Sequence, residues 1–415
     1  MTPQPPENRP PLPVPRTPGL DSTAALLREG YGFIGCRCAM LNTDIFQTRL
    51  MLRPVHCAYG REAAEFFYGG GRVGRLGAMP PGVLRLLQDV GSVQQLEGPA
   101  HHQRKAMFLA MLGPAGVKAL AEQVEREWRN RLPHWRDAGE IVLFDDMRLI
   151  LTRAAIAWSG LALLEADENW LVRGLSEMIE ATGSIGPRKL RALIMRRRCE
   201  AWARAAMRTI RGGHAAVADE APAAVIARHR EAEGTSLSLD EAAVELLNLL
   251  RPTVAIARFI VFAALALRDH PEEAHDIRAF AMEVRRTAPF FPFIGGRALR
   301  DLEWRGMSFP KGSWMLLNLY GTNGDARLWR EPEQFHPGRF QDGEPDPYSL
   351  VPQGGGAMAD GHRCPGEPAT QAILEMAVRF LAALSYELPE QDLGVDLTHI
   401  PALPASGLVL RNVRY

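Results

Sequence analysis

Three short stretches carry residues able to do chemistry. Gly361-His362-Arg363-Cys364-Pro365-Gly366 sets a thiol in a tight Gly/Pro-rich loop. Apolar residues at helical spacing follow over 366–386, so a helix N-terminus would face the sulfur and favour its thiolate. A metal-bound thiolate and a buried, inert cysteine both fit that loop taken alone. Glu283-Val284-Arg285-Arg286 places Glu283 and Arg286 one turn apart on one helix face, where they can pair. Pro337-Gly338-Arg339-Phe340 follows and offers Arg339 as a second cation for that carboxylate. The third stretch is Arg251-Pro252, inside a long apolar segment. A mid-helix proline costs about 3 kcal/mol, and a cation beside it adds nothing to stability. Such breaches of local rules mark functional sites.

The elements that must position these residues are mostly helical. Apolar residues recur at three- and four-residue spacing over 22–30, 59–68, 115–132, 144–160, 187–212 and 366–386. Ser238 and Glu241 form a capping-box pattern ahead of an apolar stretch that runs to about Asp269. At about 1.5 Å per residue that helix is roughly 45 Å long, and its apolarity places it through the middle of the protein. Strand-like stretches are few. Residues 300–309 and 313–319 flank the turn signal Pro310-Lys311-Gly312, and short strands fit 50–57 and 406–413. The class is mainly α with small β-sheets.

Composition narrows the functions. There are 48 basic and 48 acidic residues among 415, so no nucleic-acid partner is expected. The run Arg196-Arg197-Arg198 reads as a solvated helix face. Cys36, Cys38, Cys57, Cys199 and Cys364 are too few and odd in number for a disulfide framework, which fits a cytoplasmic protein. The Cys36, Cys38, His56 and Cys57 group lacks the spacing of a structural zinc site. Residues 1–19 read as a Pro-rich extension without a signal-peptide core, leading into one domain over 20–415. The longest strongly apolar run, Phe259 to Leu267, falls short of the roughly 20 residues that span a bilayer. No membrane anchor is expected.

Taken in order, the E-x-x-R, P-x-R-F and R-C-P-G elements resemble the cytochrome P450 superfamily, from about residue 20 to 415. The resemblance implies the cytochrome P450 fold, with the long central helix over a heme b and Cys364 as its iron ligand. It makes Glu283, Arg286 and Arg339 a buried structural triad. His101 and Lys105, in His101-His102-Gln103-Arg104-Lys105, resemble the pair that binds heme propionates. His362 resembles the other propionate position, and Arg75 is a further candidate. Arg104 reads as an ordinary surface cation. Two departures stand out. The usual phenylalanine before the cysteine is missing from Gln353-Gly354-Gly355-Gly356-Ala357-Met358-Ala359-Asp360, and Arg251-Pro252 replaces the acid–alcohol pair of the long helix.

That replacement, with Asn248-Leu249-Leu250 before it, is similar to the bacterial fatty-acid peroxygenase branch. So are Thr287-Ala288-Pro289-Phe290-Phe291-Pro292-Phe293, Gly354-Gly355-Gly356 and Ala25-Leu26-Leu27-Arg28-Glu29-Gly30-Tyr31-Gly32-Phe33-Ile34. The branch implies hydrogen peroxide as oxidant, a fatty acid as substrate, and no reductase. Arg251 would then hold the substrate carboxylate, which acts as the acid–base group, with Pro252 beside it and Phe290, Phe291 and Phe293 lining the alkyl pocket. Hydroxylation at the α or β carbon is the expected reaction. Gln94, in Ser92-Val93-Gln94-Gln95-Leu96, matches a position at which glutamine accompanies hydroxylation and histidine accompanies decarboxylation. A decarboxylase giving terminal alkenes, a reductase-dependent monooxygenase, and an isomerase or dehydratase that rearranges a peroxide are the alternatives.

Overall fold

The computed structural model describes residues 11–415. Its frame is helical. Helices Pro114–Ala138, Leu143–Trp158, Glu165–Glu180, Pro187–Arg211 and Glu367–Ala383 surround a central segment, Leu239–Asp269. The expected helices at 22–30, 59–68, 115–132, 144–160, 187–212 and 366–386 all form, within a few residues at most ends, as Thr23–Glu29, Arg61–Tyr68 and the longer ones above.

The central segment begins as its sequence dictates. Ser238 Oγ accepts from the Glu241 N–H (3.1 Å), and the Glu241 carboxylate accepts from the Ser238 N–H (2.8 Å), closing the capping box. It then runs as two pieces, Leu239–Ala255 and Ala257–Asp269, hinged at Ile256 one turn beyond Pro252. There the Ile256 N–H reaches back only three residues, to the Thr253 carbonyl (3.2 Å), as expected where a proline has taken a donor out of the helical ladder. The segment is more apolar than its unbroken runs suggest. Its most apolar window averages a mean hydropathy of 1.8, enough by length and composition to cross a membrane, yet 72% of that window is buried inside the protein. It is the core helix of the fold.

A five-stranded sheet lies to one side, in the order Ile45–Leu50, Arg53–Tyr59, Trp314–Asn318, Phe293–Ala298, Val73–Gly74. The Arg53–Tyr59 and Trp314–Asn318 pair is parallel and the rest antiparallel. Val409–Arg414 forms a smaller sheet with Glu140–Val142 and Ser385–Glu387. The sequence misplaces some of these strands. The expected strand over 300–309 is a hairpin, Leu302–Trp304 with Met307–Phe309, because Arg305 and Gly306 both take left-handed backbone (φ 51° and 75°). Met51 and Leu52 (φ 52° and 60°) likewise split the expected 50–57 strand into Ile45–Leu50 and Arg53–Tyr59. Pro310-Lys311-Gly312 does not fold 313–319 back onto that hairpin. Trp314–Asn318 pairs with Phe293–Ala298, a strand hidden by its Gly295-Gly296 pair. A side chain at Gly296 would collide with Val73 and Phe67, so the glycine is what lets these elements close up. Of the N-terminal extension, residues 11–17 run extended and bond to Gln47 and Gly306; residues 1–10 lie outside the described residues.

Behind the cysteine loop the structure brings the expected triad together. Glu283 is fully buried and accepts from Arg286 Nη2 and Nε (2.7 and 2.8 Å), Arg339 Nε (3.2 Å) and the His336 N–H (3.0 Å). Every oxygen of that carboxylate is used, which is what a buried charge requires. We expect Glu283→Ala to lower unfolding stability in a denaturant titration by about 3–5 kcal/mol, since it leaves two arginines uncompensated. Glu125→Ala, which removes an exposed pair with Arg129 (2.8 Å), should shift it by about 0.5 kcal/mol or less.

Candidate active site

Cys364 sits at the mouth of helix Glu367–Ala383, its N–H donating to the Gln353 carbonyl (3.0 Å). Burial pushes its thiol pKa up, and the Gly366 N–H at the helix start pulls the other way. A charged cluster that sequence reasoning missed fixes the loop around it. Buried Glu367 takes Arg285 (2.5 Å) on one side and Arg363 (2.7 and 3.0 Å) on the other. Gln353 donates to Thr370 Oγ1 (3.0 Å). Burial alone would raise the Glu367 pKa, but the two arginines hold it below the usual carboxylate range. The Arg-Glu spacing in Arg363-x-x-x-Glu367 was the signal available.

Two adjoining cavities of about 200 and 250 Å³ open on the sulfur. They share Gln94, Pro252, Ile256, Gln353, His362 and Cys364. His101, Lys105, Asn248 and Thr253 line the first; Arg251, Phe290, Phe291 and Phe293 line the second, as does Arg75. Every sequence-identified residue for heme or substrate therefore reaches one continuous site. Met79, Leu87, Ile179 and Phe259 also line its apolar end, and nothing local in the sequence marks them.

Among the described residues, the basic side chains beside Cys364 have few anionic partners. Lys105 is 2% exposed and donates only to carbonyls, of Gly361 and Arg363 (2.8 Å to the latter). Burial lowers its pKa to about 8. Burial, then the neighbouring His362 and Lys105, drives His101 down to about 3. The His101 and His362 rings lie 4.1 Å apart between centroids. Arg75 is buried with Nη1 on the Gly295 carbonyl (2.8 Å), and burial lowers its pKa. Glu97 is the one carboxylate in this group, bonded to the Arg75 N–H and 3.4 Å from His362 Nε2.

Over the sulfur, Arg251 is 4% exposed. Its guanidinium donates to the carbonyls of Leu86 (3.1 Å) and Leu87 and to Asn248 Oδ1 (3.1 Å). Among the described residues no carboxylate pairs with it. Burial, and then the charge of Arg196, holds its pKa well below the guanidinium norm. Gln94 Oε1 accepts from Asn248 Nδ2 (3.3 Å).

Two arginines are corrected by the structure. Arg104 is not a surface cation: it is 3% exposed and bonds Glu245 (2.8 Å) and Glu231. Arg196 is likewise buried, on Glu200 (2.6 Å) and the Leu86 carbonyl (3.3 Å), while Arg197 and Arg198 face outward as expected. Arg196 shares one helix stripe with buried Ala192, Cys199 and Ala203, and that periodicity was the overlooked signal.

The cytochrome P450 family model matches residues 277–398, which hold the triad and the cysteine loop. Curated relatives include a beta-amyrin 28-monooxygenase of Kalopanax septemlobus, 34% identical over 32% of this chain and 26% of its own length. Another is ferruginol synthase of Salvia miltiorrhiza, 37% identical over 25% of this chain and 21% of its own length. These matches span about a quarter of the relatives' length. Solved structures match end to end. Cytochrome P450SP alpha, also solved with (R)-ibuprophen, is 42% identical, with a TM-score of 0.92 over 95% of this chain and 99% of its own. Cytochrome P450EX alpha with myristic acid is 36% identical, TM-score 0.94, over 97% and 99%. An OleT variant in complex with arachidonic acid is 31% identical, TM-score 0.93, over 97% and 99%.

The chain belongs to the cytochrome P450 family. Within it, the full-length relatives put this P450 in the fatty-acid peroxygenase branch that Arg251-Pro252 resembled. The family's cofactor is a heme whose iron takes a cysteine thiolate. The residues present fit it. Cys364 opens on the cavity, and beside it two buried cations, Lys105 and Arg75, stand with the imidazoles of His101 and His362, whose pKa values burial lowers; two propionates would take the charge of the first pair and the N–H groups of the second. We expect Lys105→Leu to weaken heme retention about tenfold, the value of one lost charge-assisted hydrogen bond, measured as heme content against apo-protein titration.

Proposed function

We propose that this P450 hydroxylates fatty acids at the α or β carbon with hydrogen peroxide, without a reductase. The observation that supports it is Arg251, a buried guanidinium with no carboxylate partner among the described residues, in an apolar cavity that opens on Cys364. A fatty-acid carboxylate would complete its charge through a bidentate contact. The alkyl chain would lie among Phe290, Phe291, Phe293 and Ile179, which exclude water from it. When bound, heme supplies the redox chemistry by which one C–H and one H2O2 become one C–OH and one H2O.

The acid–base group is the point at which this chain departs from a reductase-dependent enzyme. The central helix has no acid beside its hydroxyl here, and Thr253 Oγ1 is committed to the Leu249 carbonyl (3.0 Å). The substrate carboxylate, held by Arg251, takes over the proton transfer to and from peroxide. Pro252 takes one donor out of the hydrogen-bond ladder beside it. Gln94, a neutral amide, favours retention of the carboxyl carbon as hydroxy acid. The same reading takes residues 20–415 as one heme domain acting in the cytoplasm on a free fatty acid, with no nucleic-acid partner.

Lauric acid and hydrogen peroxide, with no reductase, should give hydroxy acid by mass spectrometry. Arg251→Ala should lower kcat/KM by about 100-fold, the worth of a bidentate charged contact in an apolar site. Terminal alkene as the main product would overturn the role given to Gln94. No turnover by heme-loaded protein, across chain lengths, would return the choice to a reductase-dependent monooxygenase or an isomerase.

A further inference from the structure

Glu245 is a fully buried carboxylate of the central helix that touches neither cavity. It accepts from three donors: the Val93 N–H (2.7 Å), Arg104 Nη1 (2.8 Å) and Asn248 Nδ2 (3.0 Å). Arg104 continues to Glu231 at the edge of the protein. Each remaining contact leads to the active site. Val93 immediately precedes Gln94. Asn248 Nδ2 also reaches Gln94 Oε1 (3.3 Å), and Asn248 Oδ1 accepts from Arg251 Nη2 (3.1 Å).

The chemistry of these groups fixes their orientation. An ionised carboxylate can only accept, and a guanidinium can only donate. Asn248 lies between one of each, so its NH2 must face Glu245 and its oxygen must face Arg251. The reverse orientation would set oxygen against carboxylate and NH2 against guanidinium. The second hydrogen of the same NH2 is then free for Gln94 Oε1. With its oxygen so engaged, Gln94 keeps its own NH2 for the cavities that it lines.

We propose that Glu245 is a positioning residue that sets the hydrogen-bond polarity of the Asn248, Gln94 and Arg251 chain, so that Gln94 presents a donor to the substrate's carboxyl end and Arg251 holds a fixed fork. The consequence for product choice rests on the fatty-acid peroxygenase reading. Burial raises the Glu245 pKa, the Asn248 hydrogen bond and the Arg104 charge oppose that rise, and Val93 ties the carboxylate to the backbone that carries Gln94. Glutamine at 245 would remove the asymmetry. Its NH2 admits an inverted Asn248, which withdraws the acceptor from Arg251 and the donor from Gln94.

The test uses heme-loaded parent, Glu245→Gln, Asn248→Leu and the double variant, each first checked for folding by thermal unfolding. Laurate affinity is measured by calorimetry, and the ratio of α-hydroxy acid, β-hydroxy acid and alkene is measured with hydrogen peroxide. Each single variant is expected to weaken laurate about tenfold, one charge-assisted hydrogen bond, and to shift the product ratio. The double variant should do no more than either single one, because both break the same chain. A folded Glu245→Gln protein with the parent's affinity and product ratio would overturn the proposal, as would additive effects. If Glu245→Gln does not fold, Asn248→Leu decides alone, and parental values there overturn it. A parent that binds laurate but forms no product sinks the peroxygenase reading instead, and the affinities still judge Glu245.

Discussion

A guanidinium withdrawn from water needs its hydration replaced, or its burial costs several kcal/mol. Arg251 meets that need only by half. Carbonyls of Leu86 and Leu87 and the Asn248 oxygen satisfy several of its N–H groups, but none of them carries a charge. On the proposed reading the cavity is organised to receive a carboxylate. Pro252 takes a donor out of the central helix beside it, Phe290, Phe291 and Phe293 make the surroundings apolar, and Arg196 adds a second positive charge on the same Leu86 carbonyl. An apolar carboxylate is the ligand that such a place selects, since it answers both the charge and the lining.

The other buried ions show how differently the protein treats groups that are purely structural. Glu283 is closed by Arg286, Arg339 and a backbone N–H. Glu367 is closed by Arg285 and Arg363. In each network both oxygens of the carboxylate are engaged by arginine, and Arg363 ties the second to the loop that carries Cys364. Lys105 and Arg75 resemble Arg251 in donating to carbonyls, and they line the same site. Unpaired cations thus gather where anionic ligands are expected, and paired ones where stiffness is needed.

This contrast also separates what the sequence tells from what it hides. Cys364, the Glu283 and Arg286 spacing, and Arg251-Pro252 are local patterns, so they were legible together with the long helices. Gln94 and Asn248 lie 154 positions apart, and no pattern within either segment announces their contact. Arg104 and Arg196 looked like solvated cations because charge suggests a surface. Their places on buried helix stripes, with Glu231 and Glu245 against Arg104 and Glu200 against Arg196, decided otherwise. The hairpin at Met51-Leu52 was missed for the opposite reason. Neither residue has turn chemistry, and tertiary packing imposes the left-handed backbone there. Strand Phe293–Ala298 was hidden because the glycines that weaken its propensity are the ones its close neighbours require.

The most direct test of the account asks whether the substrate's own charge is needed. Peroxide-driven oxidation of lauric acid should be compared with that of its methyl ester, which keeps the chain and removes the anion. If the unpaired Arg251 charge governs binding and proton transfer, the acid is converted and the ester reacts at least about 100-fold more slowly, the loss expected for a buried charged contact. Comparable conversion of acid and ester would contradict the account, and would mean that an acid–base group of the protein itself serves the reaction.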